Sequence, residues 1–188
     1  MRFNYVPMLV YAGVNVSRQP VKTPMDASKS DRTTVAGKNI IRIEFDGSMH
    51  SRVVASLAGR ERVMGDLTPS EIIRISGNDI TDFSLQRRRS EPVRDRLGSG
   101  TRTVITGTAS SLRKTVAVIV YDRFPRMAFF DVEYTNTGMS DLPVNGWTNQ
   151  HYSISASTSA AQRAFWSYQS GCYEKRPDWV LPLKPGFH

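Results

Sequence analysis

Leu112-Arg113-Lys114-Thr115-Val116-Ala117-Val118-Ile119-Val120-Tyr121 is the stretch that decides the fold. Val116, Val118 and Val120 recur at every second position, the period of a strand that buries one face. Working outward, Met127 to Thr135 carries Phe129, Phe130 and Tyr134, residues that suit a pleated surface. On the other side, Thr101 to Gly107 is dense in β-branched residues. Ile41 to Asp46 alternates apolar and charged residues, and Ser51 to Leu57 and Ile72 to Ile75 read as further strands. Ile80 to Leu85, Leu142 to Val144 and Tyr152 to Ala156 complete the predicted set. Gly47-Ser48, Ala58-Gly59 and Gly77-Asn78-Asp79 punctuate these runs as turns. Helical signals are confined to one turn at Thr68-Pro69-Ser70-Glu71, with Thr68 as cap and Pro69 in the first helical position, and another at Ser159 to Phe165. Many short strands with turn residues between them predict an all-β protein, two antiparallel sheets stacked as a sandwich with little helix.

The chain has 188 residues, 39% of them hydrophobic, enough for a real core and too few for a complete (β/α)8 barrel of roughly 250 residues. No apolar run approaches the roughly 20 residues of a membrane-spanning helix, so no membrane partner is expected. A single cysteine, Cys172, excludes an internal disulfide. The net charge is +8, and of the 25 basic residues six are lysine and nineteen arginine. Arginine makes planar, bidentate contacts, so this excess suits structural ion pairs as well as polyanions.

Three regions follow from composition. Residues 1–38 form an N-terminal arm: a short apolar stretch interrupted by Pro7, then a Ser, Thr, Lys, Asp and Pro-rich connection. The Pro7 interruption and the lack of a small-residue cleavage site argue against a secretory signal, and the compartment, cytoplasmic or exported, stays open. Residues 39–165 hold the sandwich. Residues 166–188 are aromatic and stiffened by Pro177, Pro182 and Pro185, and their apolar end is expected to be a junction toward another protein surface.

Three stretches together resemble a known family. They are Val120-Tyr121-Asp122-Arg123-Phe124-Pro125-Arg126-Met127-Ala128, Val132-Glu133-Tyr134-Thr135-Asn136-Thr137-Gly138, and Phe165-Trp166-Ser167-Tyr168-Gln169-Ser170-Gly171 running into Tyr173-Glu174-Lys175-Arg176-Pro177-Asp178-Trp179-Val180-Leu181-Pro182. They look like the N-terminal β-sandwich region of bacterial α-galactosidases of the melibiase type, glycoside hydrolase family 36 and its relatives. The likeness covers roughly residues 40–188, and the Glu-Lys-Arg-Pro-Asp-Trp-Val-Leu-Pro piece is its most specific part. It implies a supersandwich of the galactose mutarotase type, preceding a barrel whose two aspartates, nucleophile and acid/base, do the chemistry. On that basis no catalytic residue is expected in this chain, and a galactoside-like carbohydrate is reached through the barrel.

Sugars are held by carboxylates, guanidinium groups and an aromatic face, and Glu174, Arg176, Asp178 and Trp179 supply each within six residues. The resemblance makes Asp178 and Trp179 the first candidates for the rim of a sugar site; the competing expectation is that they pin a loop and fill a seam between domains. A retaining hydrolase needs two carboxyls about 5–5.5 Å apart. Asp122, Asp131, Glu133, Glu174 and Asp178 are the carboxylates considered, with Asp131 and Glu133 expected on one solvated strand face. Cys172 and His151 have no spacing that joins them as nucleophile and base, and three histidines with one cysteine have no metal-ligand spacing. No cofactor is implied, since Gly98-Ser99-Gly100 lacks the helix and Lys-Ser/Thr of a phosphate loop and reads as a turn. Arg87-Arg88-Arg89 with Arg94, Arg96 and Arg102 is the densest basic region. It lacks interleaved aromatics, so it reads as a solvated loop or protein contact and not as a nucleic-acid platform. The apolar C-terminal segment also predicts a homo-oligomer contact. A free-standing carbohydrate-binding module is the alternative function.

Overall fold

The computed structural model describes residues 2–3, 34–38, 40–57, 60–152, 166–168 and 180–182. Every regular element among them is a strand, so the all-β expectation holds. The chain falls into two compact units, Met1–Ile154 and Ser155–His188.

In the first unit, β1 (Arg2–Phe3), β2 (Thr34–Lys38), β3 (Ile41–Phe45), β4 (Ser51–Leu57) and β5 (Arg60–Val63) are followed by β6 (Ile72–Ile75) and β7 (Asn78–Ile80). Then come β8 (Ser84–Asp95), β9 (Gly98–Ala109), β10 (Leu112–Tyr121), β11 (Phe129–Asn136) and β12 (Val144–Thr148). They form a five-stranded sheet in the order β1-β11-β10-β9-β8, a four-stranded sheet β2-β3-β4-β5 and a three-stranded sheet β12-β6-β7, all antiparallel. One apolar cluster joins the three: Ile41, Ile43, Phe45, Val53 and Ala55 from β3 and β4, Ile73 and Ile75 from β6, and Ile105, Val116, Val118, Val120, Phe130 and Val132 from β9 to β11. Each such side chain contributes about 1.5–3 kcal/mol by leaving water. This is a sandwich-like all-β body.

The turns explain the registers. Ser76 and Gly77, at φ 50° and 81°, form the two-residue connection of β6 and β7. A positive φ at both central residues gives the twist that a tight hairpin needs. Between β3 and β4 the Asp46 carboxylate accepts the backbone N–H groups of Ser48 and His50, both at 2.9 Å, and Met49 takes φ 57°.

Several expectations are corrected. Ile80 to Leu85 is not one strand: residues 81–83 leave the ladder, because Phe83 N–H donates to the Ser48 carbonyl at 3.0 Å and Leu85 N–H to that of Gly47 at 2.9 Å. Those bonds plug Phe83, fully buried, beneath the β3–β4 turn. Leu142 and Pro143 are loop, since the Pro143 carbonyl caps the β6–β7 turn at Ser76 N–H, 3.1 Å, and the strand begins at Val144. Thr68 to Glu71 is no helical turn: Thr68 bridges Ser51, exchanging N–H···O bonds of 2.9 and 3.2 Å. Gly98-Ser99-Gly100 opens β9, with the turn one step earlier at Arg96-Leu97. Arg87-Arg88-Arg89 and Arg94 lie in β8, not in a loop; the edge of β9 supplies a ladder for the whole segment, and backbone pairing needs no apolar side chains. Tyr152 stands outside any strand, and residues 153–165, with the turn expected at Ser159 to Phe165, lie outside the described residues.

In the second unit, β13 (Trp166–Tyr168) and β14 (Val180–Pro182) pair antiparallel, Trp166 opposite Pro182, Ser167 opposite Leu181 and Tyr168 opposite Val180.

Candidate functional site

The alternation that makes β10 a strand also puts a lysine in the core. Leu112, Lys114, Val116, Val118 and Val120 share one face, so Lys114 points where the valines point and has no exposed surface. Its Cα partners are Tyr134 on β11 and Gly107 on β9. The Thr68–Ser51 bridge then steers Ser70 and Glu71 inward ahead of β6, and both are fully buried.

Lys114 Nζ stands 3.7 Å from Glu71 Oε2 and 3.4 Å from the Glu71 backbone carbonyl, which accepts from it. The ammonium also lies over the Phe83 ring, 4.5 Å from its centroid, and Phe83 packs on Tyr134 with centroids 5.9 Å apart. Glu71 Oε1 accepts two hydrogen bonds, from Ser70 Oγ at 2.7 Å and from Gln150 Nε2 at 2.8 Å. Ser70 Oγ is 2.6 Å from Ser51 Oγ, which is 3.0 Å from Tyr152 Oη, so a chain of hydroxyls runs from the carboxyl toward β4. Glu71 Oε2 and Tyr134 Oη, both buried, have no hydrogen-bond partner.

Burial pushes the Glu71 carboxyl well above the ordinary glutamate range, with Lys114 and the Ser70 and Gln150 bonds opposing the shift. Burial pushes Lys114 down, with Glu71 opposing. Tyr134 is raised by burial and by the nearby Glu71 charge, and Tyr152 by the same two causes. A separation of 3.7 Å is too long for a charge-assisted hydrogen bond, whose usual span is about 2.7–2.9 Å. The pair is therefore poorly compensated as ions, and the neutral amine and acid are favoured by their surroundings. Beside it, His50 Nδ1 is 3.5 Å from Asp46 Oδ2 and Nε2 is 2.8 Å from Asp82 Oδ1. The Thr81 hydroxyl, and then His50, hold Asp82 below the usual carboxylate range.

Sequence reasoning missed this cluster, although one signal was present. The β10 period assigns Lys114 to the valine face; a lysine in phase with three valines is a buried lysine, and it requires an acidic partner.

The predicted site residues fare differently. Glu174, Arg176, Asp178 and Trp179, and also Cys172, lie outside the described residues. Asp131 and Glu133 share the outer face of β11, as their spacing predicts, but that face is half-buried and not fully solvated; Asp122 is exposed just after β10. His151 is exposed, and its N–H donates to the Ser70 carbonyl at 2.9 Å. Among the described residues no three His, Cys, Asp or Glu side chains converge as metal ligands. On the basic hairpin, Glu91 bridges Arg89 at 2.9 Å and Arg102 at 3.2 Å. Asp95 accepts from Tyr121 Oη at 2.6 Å and from Leu97 N–H at 2.8 Å, which hold it below the usual range. The two acids that interrupt the arginine run are thus tied to the hairpin. No family model matches the chain, and a search of the curated proteins finds no match either.

Proposed function

We propose that this chain is the non-catalytic N-terminal β-sandwich domain of an α-galactosidase-like glycoside hydrolase, bracing a catalytic barrel and lining its sugar pocket. The pairing of β13 with β14 is the observation that carries the reading. It aligns Trp166-Ser167-Tyr168 with Val180-Leu181-Pro182, near the two ends of the third stretch of the family resemblance. The eleven residues 169–179, which include Glu174, Arg176, Asp178 and Trp179, join the paired Tyr168 and Val180. Binding groups are commonly carried on connections that a paired scaffold holds at both ends. The all-β body with its sealed Glu71–Lys114 pair suits a bracing role, because those ionisable groups face no solvent.

The test begins with the coding sequence after codon 188, where barrel-coding sequence is expected. In the barrel-bearing protein, Asp178→Asn and Trp179→Ala raise KM for an aryl α-galactoside. An unchanged KM for both rejects the pocket-lining role. Calorimetric titration of the 188-residue chain with galactose and melibiose gives no binding on this reading. Micromolar to millimolar binding would instead identify a free-standing carbohydrate-binding module, and hydrolysis by the chain alone would overturn both.

A further inference from the structure

We propose that Lys114 and Glu71 condense into an amide cross-link, Nζ to Cδ, that ties β10 to the segment entering β6. Both side chains are fully buried, and Nζ is 3.7 Å from Oε2, which puts Cδ within about one bond length of that separation. The two oxygens of Glu71 are already differentiated. Oε1 receives Ser70 Oγ and Gln150 Nε2, the arrangement that stabilises charge developing on a carbonyl oxygen. Oε2 faces the lysine and receives nothing.

The step balances without any other reagent. The lone pair of the neutral amine attacks Cδ of the protonated carboxyl, forming the C–N bond and moving an electron pair onto Oε1. A proton passes from Nζ to Oε2, the carboxyl oxygen that faces the lysine. Collapse breaks the bond from Cδ to Oε2, which leaves as water with the carboxyl's original proton and the transferred one. Nζ keeps one hydrogen in the amide. A site closed to solvent favours condensation over hydrolysis, and burial already biases both partners toward the uncharged forms that react.

The measurement is the intact mass of the folded, purified chain, followed by tryptic mapping. The expected mass is one water below that of the sequence. Digestion should yield residues 63–74, bearing Glu71, joined to residues 114–123, uncleaved after Lys114. Lys114→Met should restore the full mass. A wild-type chain that stays at its full sequence mass, with the two peptides separate after prolonged incubation at neutral pH, overturns the cross-link. Because that result is read on the wild type, failure of a variant to fold does not protect the proposal.

Discussion

Lys114→Met isolates the physics of the buried cluster. Methionine keeps the length of the stem and its contact with Phe83, but leaves Glu71 as a free carboxyl in a fully buried site with no lysine nitrogen facing it. Ionising a carboxyl stranded in such a site costs several kcal/mol, so the folded variant keeps it protonated. The pH dependence identifies the cause. Burial raises the Glu71 pKa in the folded state, so that state holds the proton where the unfolded chain has released it. Stability therefore falls as pH rises above the ordinary glutamate value, by about 1.4 kcal/mol per pH unit, until the folded-state pKa is passed. Between about pH 5 and pH 8 the variant should therefore lose stability progressively. Urea unfolding at each pH reads this directly. Adding Glu71→Leu should abolish the slope, because no stranded carboxyl remains. A single variant whose stability is flat across that window, or a slope that survives Glu71→Leu, would refute the reasoning.

Three other outcomes follow from the packing. At Gly107 a Cβ would meet the side-chain sulfur of Met49 and, at 2.8 Å, the Ser84 backbone carbonyl. Gly107→Ala should destabilise by about 1–3 kcal/mol, and Met49→Ala in the same chain should recover only the part due to the flexible sulfur, measured by denaturant midpoint. At Gly100 every close neighbour is backbone, Val120 O at 2.5 Å and Tyr121 Cα at 2.8 Å. Gly100→Ala should thus resist rescue by any side-chain change on β10 and loosen the β9–β10 ladder, visible as faster amide exchange at Val120 and Tyr121. Tyr152→Phe removes the hydroxyl 3.0 Å from Ser51 Oγ and should cost about 1 kcal/mol in thermal unfolding, with activity of any barrel-bearing form unchanged.

The central strands were legible because they are dense in apolar, mostly β-branched residues and bounded by turn residues: Leu112 to Tyr121, Ser51 to Leu57 and Ile72 to Ile75 match the observed β10, β4 and β6. β8 was not, because only Leu85, Glu91 and Val93 along it are even half-buried; it is a strand by virtue of the neighbour that pairs with it. Phe83 shows the converse, an apolar residue in a β-like stretch that the β3–β4 turn pulls out of the ladder. The buried cluster depends on Ser51, Ser70, Glu71, Lys114, Gln150 and Tyr152, scattered along the chain, and only the phase of Lys114 among its valines marks any of them locally.

β8 lies at the end of the five-stranded sheet and is made before either strand that later shelters it inward. While the ribosome is still adding Gly98 to Tyr121, those twelve residues have no ladder to join. Four arginines and Pro92 keep that newborn stretch hydrated and poorly suited to stacking on a copy of itself, so charges that serve the finished hairpin also protect the chain during its synthesis.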